Sequence, residues 1–154
     1  MVATKTFEIT TEVVDEQPTV VADATLRVEA IGPWVRKVFG MIAAAVGSDI
    51  AGPPFARYRM LGDEEFEVEA GFPVAGPVQV VGELRDSSLP GGTAAVTMHV
   101  GPYDQLGQAY EALSAWVSEH GGTPTGAPWE CYLSEPDVPP ERTMTRVVQP
   151  YRPA

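Results

Sequence analysis

A carboxylate stands where an apolar strand is expected: Glu130 lies between Trp129 and Cys131 in the run Gly126-Ala127-Pro128-Trp129-Glu130-Cys131-Tyr132-Leu133. Burying an unpaired carboxylate in an apolar interior costs several kcal/mol or more, so such a charge is either turned to water or held in a site that uses it. Successive strand side chains point to opposite faces. That places Trp129, Cys131 and Leu133 on a core face, and Glu130 and Tyr132 together on the other. This pairing suits an organic cation: a tyrosine face attracts one by about 0.5–2 kcal/mol. A carboxylate about 4 Å away contributes about 4 kcal/mol at an effective dielectric of about 20.

The elements that would position Glu130 come from an internal repeat. Ile31-Gly32-Pro33-Trp34 is echoed by Val100-Gly101-Pro102-Tyr103. Gly52-Pro53-Pro54-Phe55-Ala56-Arg57-Tyr58 is echoed by Gly126-Ala127-Pro128-Trp129-Glu130-Cys131-Tyr132, and Phe72-Pro73-Val74 by Gln149-Pro150-Tyr151. In each half a Gly-Pro pair is expected to open a helix. The first helix carries Val35, Val38, Phe39, Ile42 and Val46 and stops near Gly47; the second carries Leu106, Tyr110, Leu113 and Val117 and stops at Gly121-Gly122. Strands are expected from Phe7 to Val14, Thr19 to Arg27, Phe55 to Leu61, Glu65 to Val74, Val78 to Leu84, Thr93 to His99, Trp129 to Leu133 and Met144 to Val148. "MLGDEEF" and "DSSLPGGT" read as hairpin connections, which favours antiparallel pairing. The predicted fold is α+β: one domain over residues 1–154, with halves 1–75 and 76–154, each reading strand-helix-strand-strand behind a leading strand.

The repeat aligns Ala56, Tyr58 and Met60 with Glu130, Tyr132 and Ser134, so the halves are expected to face each other across a pseudo-two-fold axis. Two tyrosines and one carboxylate would lie between them. Trp34 and Tyr103, at the two helix starts, are candidates for the rim of that cleft, and Glu69, beside the turn Ala70-Gly71-Phe72-Pro73-Val74, for an inward-pointing second carboxylate. Tyr110 and Trp116 read as helix core.

Other chemistry has little support. His99 and His120 are the only histidines and form no metal-binding pattern. The single cysteine, Cys131, excludes an internal disulfide and reads as an inert packing residue. Phosphate-binding glycine loops, dinucleotide-binding glycine motifs, zinc-protease motifs and nucleophile elbows are absent from the sequence. A formal charge of −11 disfavours nucleic acid and anionic membranes as partners. No apolar run is long enough to span a bilayer and the first residues lack a signal-peptide pattern, so a cytoplasmic location is expected.

The motifs "GPPFARYRM", "FEVEAGFPV", "LPGGTAAVTMHVGPYDQL", "AYEALSAWV" and "GAPWECYLSEP" resemble, in order and over nearly the whole chain, the GyrI-like small-molecule-binding family, which includes effector-binding domains of multidrug-sensing regulators and the DNA gyrase inhibitor protein. The resemblance implies two tandem modules with a cleft at their junction and a strand glutamate that meets cationic aromatic ligands; no cofactor or metal is expected. That position here is Glu130, followed by Tyr132. The chain is similar to a stand-alone member without the DNA-binding domain of the regulators. Some stand-alone relatives are hydrolases of cyclopropane-bearing genotoxins, in which Glu130 and Tyr132 would be the catalytic equivalents. A gyrase-binding role is a further implication.

Overall fold

The computed structural model describes residues 7–80, 82–135 and 137–154. Along the chain these form β1 (Ile9–Val14), β2 (Gln17–Arg27), α1 (Val28–Val46), β3 (Phe55–Met60), β4 (Glu65–Pro73), β5 (Arg85–Leu89), β6 (Gly92–Val100), α2 (Leu106–Glu119), β7 (Thr123–Pro124), β8 (Trp129–Tyr132) and β9 (Met144–Arg152). The strands pair antiparallel in the order β1-β6-β9-β8-β3-β4-β2-β5, with β7 on β9. This is the α+β architecture expected. The order is itself symmetric: β6-β9-β8 of one half meets β3-β4-β2 of the other, and each leading strand crosses to the opposite half. β1 therefore pairs with β6, and β5 with β2.

Helix burial repeats between the halves with the same three-four-four spacing. Val35, Val38, Ile42 and Val46 are buried on α1; Leu106, Ala109, Leu113 and Val117 are buried on α2. Each stripe covers the same side of the sheet, α1 over Val20, Ala22, Ala56, Val68 and Ala70, and α2 over Ala95 and Val147. The other side has its own apolar layer, in which Val21, Phe55, Leu89, Val96, Trp129 and Val148 pack together with Val14. Leu89 and Val14 come from the two edge strands, so the sheet curls until its edges share one cluster. Both faces are therefore buried at the centre. Leu133, expected on the core face, is 41% exposed, because β8 ends at Tyr132 and the inner layer stops short of it.

Three expected elements differ. The first helix starts at Val28, ahead of Gly32-Pro33, because β2 runs straight into it: the Val28 N–H donates to the Glu64 carbonyl at 3.2 Å, satisfying one of the free donors of the first turn. The run from Val78 to Leu84 forms no strand in its described residues. Val78, Val80 and Leu84 instead pack beside the α1 cluster, so their alternation records packing and not a ladder. The strand falls on Arg85–Leu89, within the stretch read as a connection, where an edge position on the long β2 outweighs a polar composition. β9 also runs past its expected end. Pro150, which has no N–H to donate, lies beyond the start of the short β8, where it breaks no ladder bond to that strand.

Candidate functional site

The centre of the sheet is the β3–β8 pair, and there Ala56 faces Glu130 directly. These two positions are equivalent in the repeat, so the pseudo-two-fold axis passes between them. Ala56 and Glu130 both point to the helix-covered side. The alanine is fully buried and the glutamate is 5% exposed.

Aromatic side chains from both halves close around the carboxyl. The Tyr110 hydroxyl, from α2, donates to Glu130 Oε1 at 2.5 Å, and Tyr132 stands on the same sheet face two residues along β8. The hydroxyls of Tyr58 and Tyr132, repeat-related residues on neighbouring strands, meet at 2.9 Å. Tyr103 stands edge-on to Tyr132, ring centres 5.7 Å apart, and at 53% exposed forms the outer lip. Phe39 of α1 leans on Tyr132 at 5.9 Å and is backed by Phe72.

No basic side chain forms an ion pair with Glu130 among the described residues. Burial raises its pKa above the ordinary carboxylate value, and the neighbouring hydroxyls of Tyr110 and Tyr132 oppose that rise without cancelling it. Burial, with the Glu130 charge second, also raises the pKa of Tyr58, Tyr103, Tyr110 and Tyr132, so all four keep their protons at neutral pH. The site thus holds hydroxyl donors, π faces and one carboxyl group without a cation to balance it.

This has a consequence for stability. A carboxyl whose folded pKa is raised keeps its proton in the folded state over a window where the unfolded chain has lost it, so stability falls as pH rises from the unfolded pKa to the folded one and then stays level. Glu130→Gln removes that loss. Its melting temperature is expected to exceed wild type by roughly 2–4 °C per kcal/mol recovered at pH 8, with little difference at pH 4. Equal melting temperatures at pH 8 would show that the charge is not penalised.

The structure brings together four predicted residues, Glu130, Tyr132, Tyr58 and Tyr103. Trp34 is half-buried and packs against the same α1 cluster as Tyr58 and Tyr132. Met60 shares their sheet face but is 66% exposed at the far end of β3, away from the aromatic shell. Glu69 does not point inward. It pairs across the ladder with Arg57 and Asp23 on the opposite face, where Arg57 reaches it at 2.8 Å and Arg85 at 3.4 Å. Those arginines supply the partners that Glu130 lacks. Cys131 lies on the inner face, and burial pushes its thiol up to about 11, which leaves it protonated and unreactive at neutral pH.

Tyr110 and Phe39 belong to the site although sequence spacing marks them as core. Aligning the two buried stripes would have found them, since each directly follows the second buried position of its helix and so faces the axis.

Similarity to known proteins agrees with the fold. No curated protein matches the chain in sequence. Among solved structures it is similar to EcmrR in its DNA complex, with a TM-score of 0.83 and 19% identity over 96% of this chain. The chain spans 58% of the length of that protein. It is similar to the isolated EcmrR C-terminal domain, with a TM-score of 0.77 and 21% identity over 96% of this chain and 99% of that one. A hydrolase encoded by lin2189 from Listeria innocua has a TM-score of 0.65 and 12% identity, covering 94% of this chain and 92% of its own. The family model described as GyrI-like small molecule binding domain matches residues 61–152, more than half of the sequence, and the chain belongs to that family.

Proposed function

We propose that the protein binds a lipophilic aromatic cation at the pseudo-two-fold axis, with Glu130 as its counter-charge. The observation that carries this reading is a buried carboxyl ringed by four tyrosines and without a basic partner among the described residues. Removing a cation from water is offset by a carboxylate in a low-dielectric pocket, and apolar bulk is matched by Phe39 and the tyrosine faces. Burial raises the pKa of Glu130, so a permanent cation competes with a proton for the carboxyl. The SAV2435 structure, another neighbour with a TM-score of 0.70 and 14% identity over 94% of each chain, is bound to tetraphenylphosphonium, a molecule of this class.

Calorimetric titration with tetraphenylphosphonium in two buffers of different ionisation enthalpy tests the exchange. Net proton release is expected below the pKa of Glu130. Affinity should rise with pH until the carboxyl is ionised, then level. Affinity that does not change with pH between 4 and 8 would remove Glu130 as the counter-charge.

A second reading rests on the 2.5 Å bond between Tyr110 and Glu130. A carboxyl with raised pKa next to a hydroxyl donor is a general acid–base pair, and could open a strained electrophile by activating water at Glu130 while a tyrosine protonates the leaving carbon. Mass spectrometry of a cyclopropane-bearing electrophile incubated with the protein separates the two readings, since turnover above background belongs only to the second.

A further inference from the structure

The side of the sheet facing away from Glu130 carries the same six positions twice, once in each half, with opposite chemistry. In the first half one row across the strands reads Asp23, Glu69, Arg57 and the next reads Thr25, Glu67, Arg59. These positions neutralise one another: Arg57 pairs with Glu69 at 2.8 Å and Arg59 with Glu67 at 2.9 Å, while Arg85 bridges Asp23 and Glu69. In the second half the corresponding rows read Met98, Arg146, Cys131 and Val100, Met144, Leu133. The only charge in that set, Arg146, is met by Glu12 at 2.9 Å. Met98, Val100, Leu133 and Met144 are 39–46% exposed. They are contiguous: Val100 is directly across from Met144, and the Leu133 N–H donates to the Met144 carbonyl at 3.2 Å.

One half of this face is therefore completed by its own ion pairs, and the other leaves an apolar strip with two flexible methionines, a side chain suited to adaptable binding surfaces. The strip is three strands wide, about 10 Å, which matches the width of one α-helix at about 10–12 Å. It is far smaller than the roughly 800 Å² per partner that a stable dimer buries. Its border is acidic. Glu8 precedes Ile9, whose partner across the β1–β6 pair is Thr97, next to Met98, and the segment between β8 and β9 contributes exposed Glu135, Asp137 and Glu141 against one arginine, Arg142. Two copies meeting here would set acidic borders against each other, whereas a helix with basic flanks would be attracted.

We propose that the strip formed by Met98, Val100, Leu133 and Met144 docks a basic amphipathic helix of a partner protein, leaving the Glu130 site free on the opposite side. The probe is a synthetic Leu/Lys amphipathic helix of about 18 residues, with a Leu/Glu helix of the same pattern as control, followed through the methyl resonances of methyl-labelled methionine. The Lys peptide is expected to shift Met98 and Met144 while Met41 and Met60, on the helix-covered side, stay in place. Affinity should fall at least tenfold in the double variant Leu133→Ser, Met144→Ser and persist in Glu130→Gln. Unmoved Met98 and Met144 in the wild-type protein, equal binding of the Glu peptide, or retained affinity in a folded double variant would each overturn the proposal. A dimer seen by light scattering without peptide and lost in the double variant would overturn it in favour of a second copy.

Discussion

Glu130→Gln is expected to weaken binding of tetraphenylphosphonium at least tenfold at pH 8, and to leave the remaining affinity independent of pH. Glutamine keeps the shape of the side chain and a carbonyl that can accept from Tyr110, so the aromatic shell stays assembled and only the charge is lost. A cation about 4 Å from a carboxylate gains about 4 kcal/mol at an effective dielectric of about 20. Tenfold is a conservative floor, because it corresponds to about 1.4 kcal/mol and leaves room for the energy spent in desolvating the carboxylate. The remaining affinity would come from ring faces at about 0.5–2 kcal/mol each. Calorimetry or quenching of tryptophan fluorescence measures the change, since Trp34 packs against the same cluster as Tyr58 and Tyr132. Unchanged affinity with retained pH dependence would place the counter-charge elsewhere. The same variant should melt higher at pH 8, so loss of binding cannot be assigned to unfolding.

Tyr110→Phe is the second large expected effect, and it separates positioning from bulk. Phenylalanine preserves the ring and its packing on α2 but removes the hydroxyl that donates to Glu130 Oε1. A hydrogen bond to a charged group contributes about 1.5–3 kcal/mol. Without it the ionised carboxylate is less stable, the pKa of Glu130 rises further, and a permanent cation competes with a more tightly held proton. Affinity for tetraphenylphosphonium below the wild-type midpoint of binding is expected to fall about tenfold, with that midpoint displaced upward by about one unit. Raising the pH should restore most of the lost affinity, which a purely structural defect would not allow. A loss that is the same at every pH would show that Tyr110 acts only by packing. Under the hydrolase reading the same variant slows turnover while the midpoint of the pH profile moves in the same direction.

The contrast between Glu130 and Glu69 shows why the site could be found partly in advance. Both are carboxylates in strands rich in valine and aromatics. The repeat distinguishes Glu130, because its counterpart is Ala56 and its neighbour Tyr132 has a counterpart in Tyr58, so a pseudo-two-fold axis with one charge on it follows from alignment alone. The orientation of Glu69 was equally open to the alternation rule, since Glu65, Glu67 and Glu69 share a face, but its proximity to a turn obscured that reading. The structure resolves it through Arg57 and Arg85, residues whose reach across the ladder depends on register.

Local signals in the sequence determined the type of most elements, the order of the two modules, the axial place of Glu130 and the company of Tyr58, Tyr103 and Tyr132. These depend on period, turn chemistry and duplication, all of which act over a few residues or between copies of one pattern. Tertiary structure alone decided that Tyr110, while packed on the α2 cluster, reaches the carboxyl with its hydroxyl, that Arg85–Leu89 forms the edge strand in place of the valine-rich run before it, and that both sheet faces are covered at the centre while one end of the inner face is left apolar. Each depends on which strands become neighbours and how far the sheet curls, properties set by long-range pairing and packing of the whole chain rather than by the spacing of residues along it.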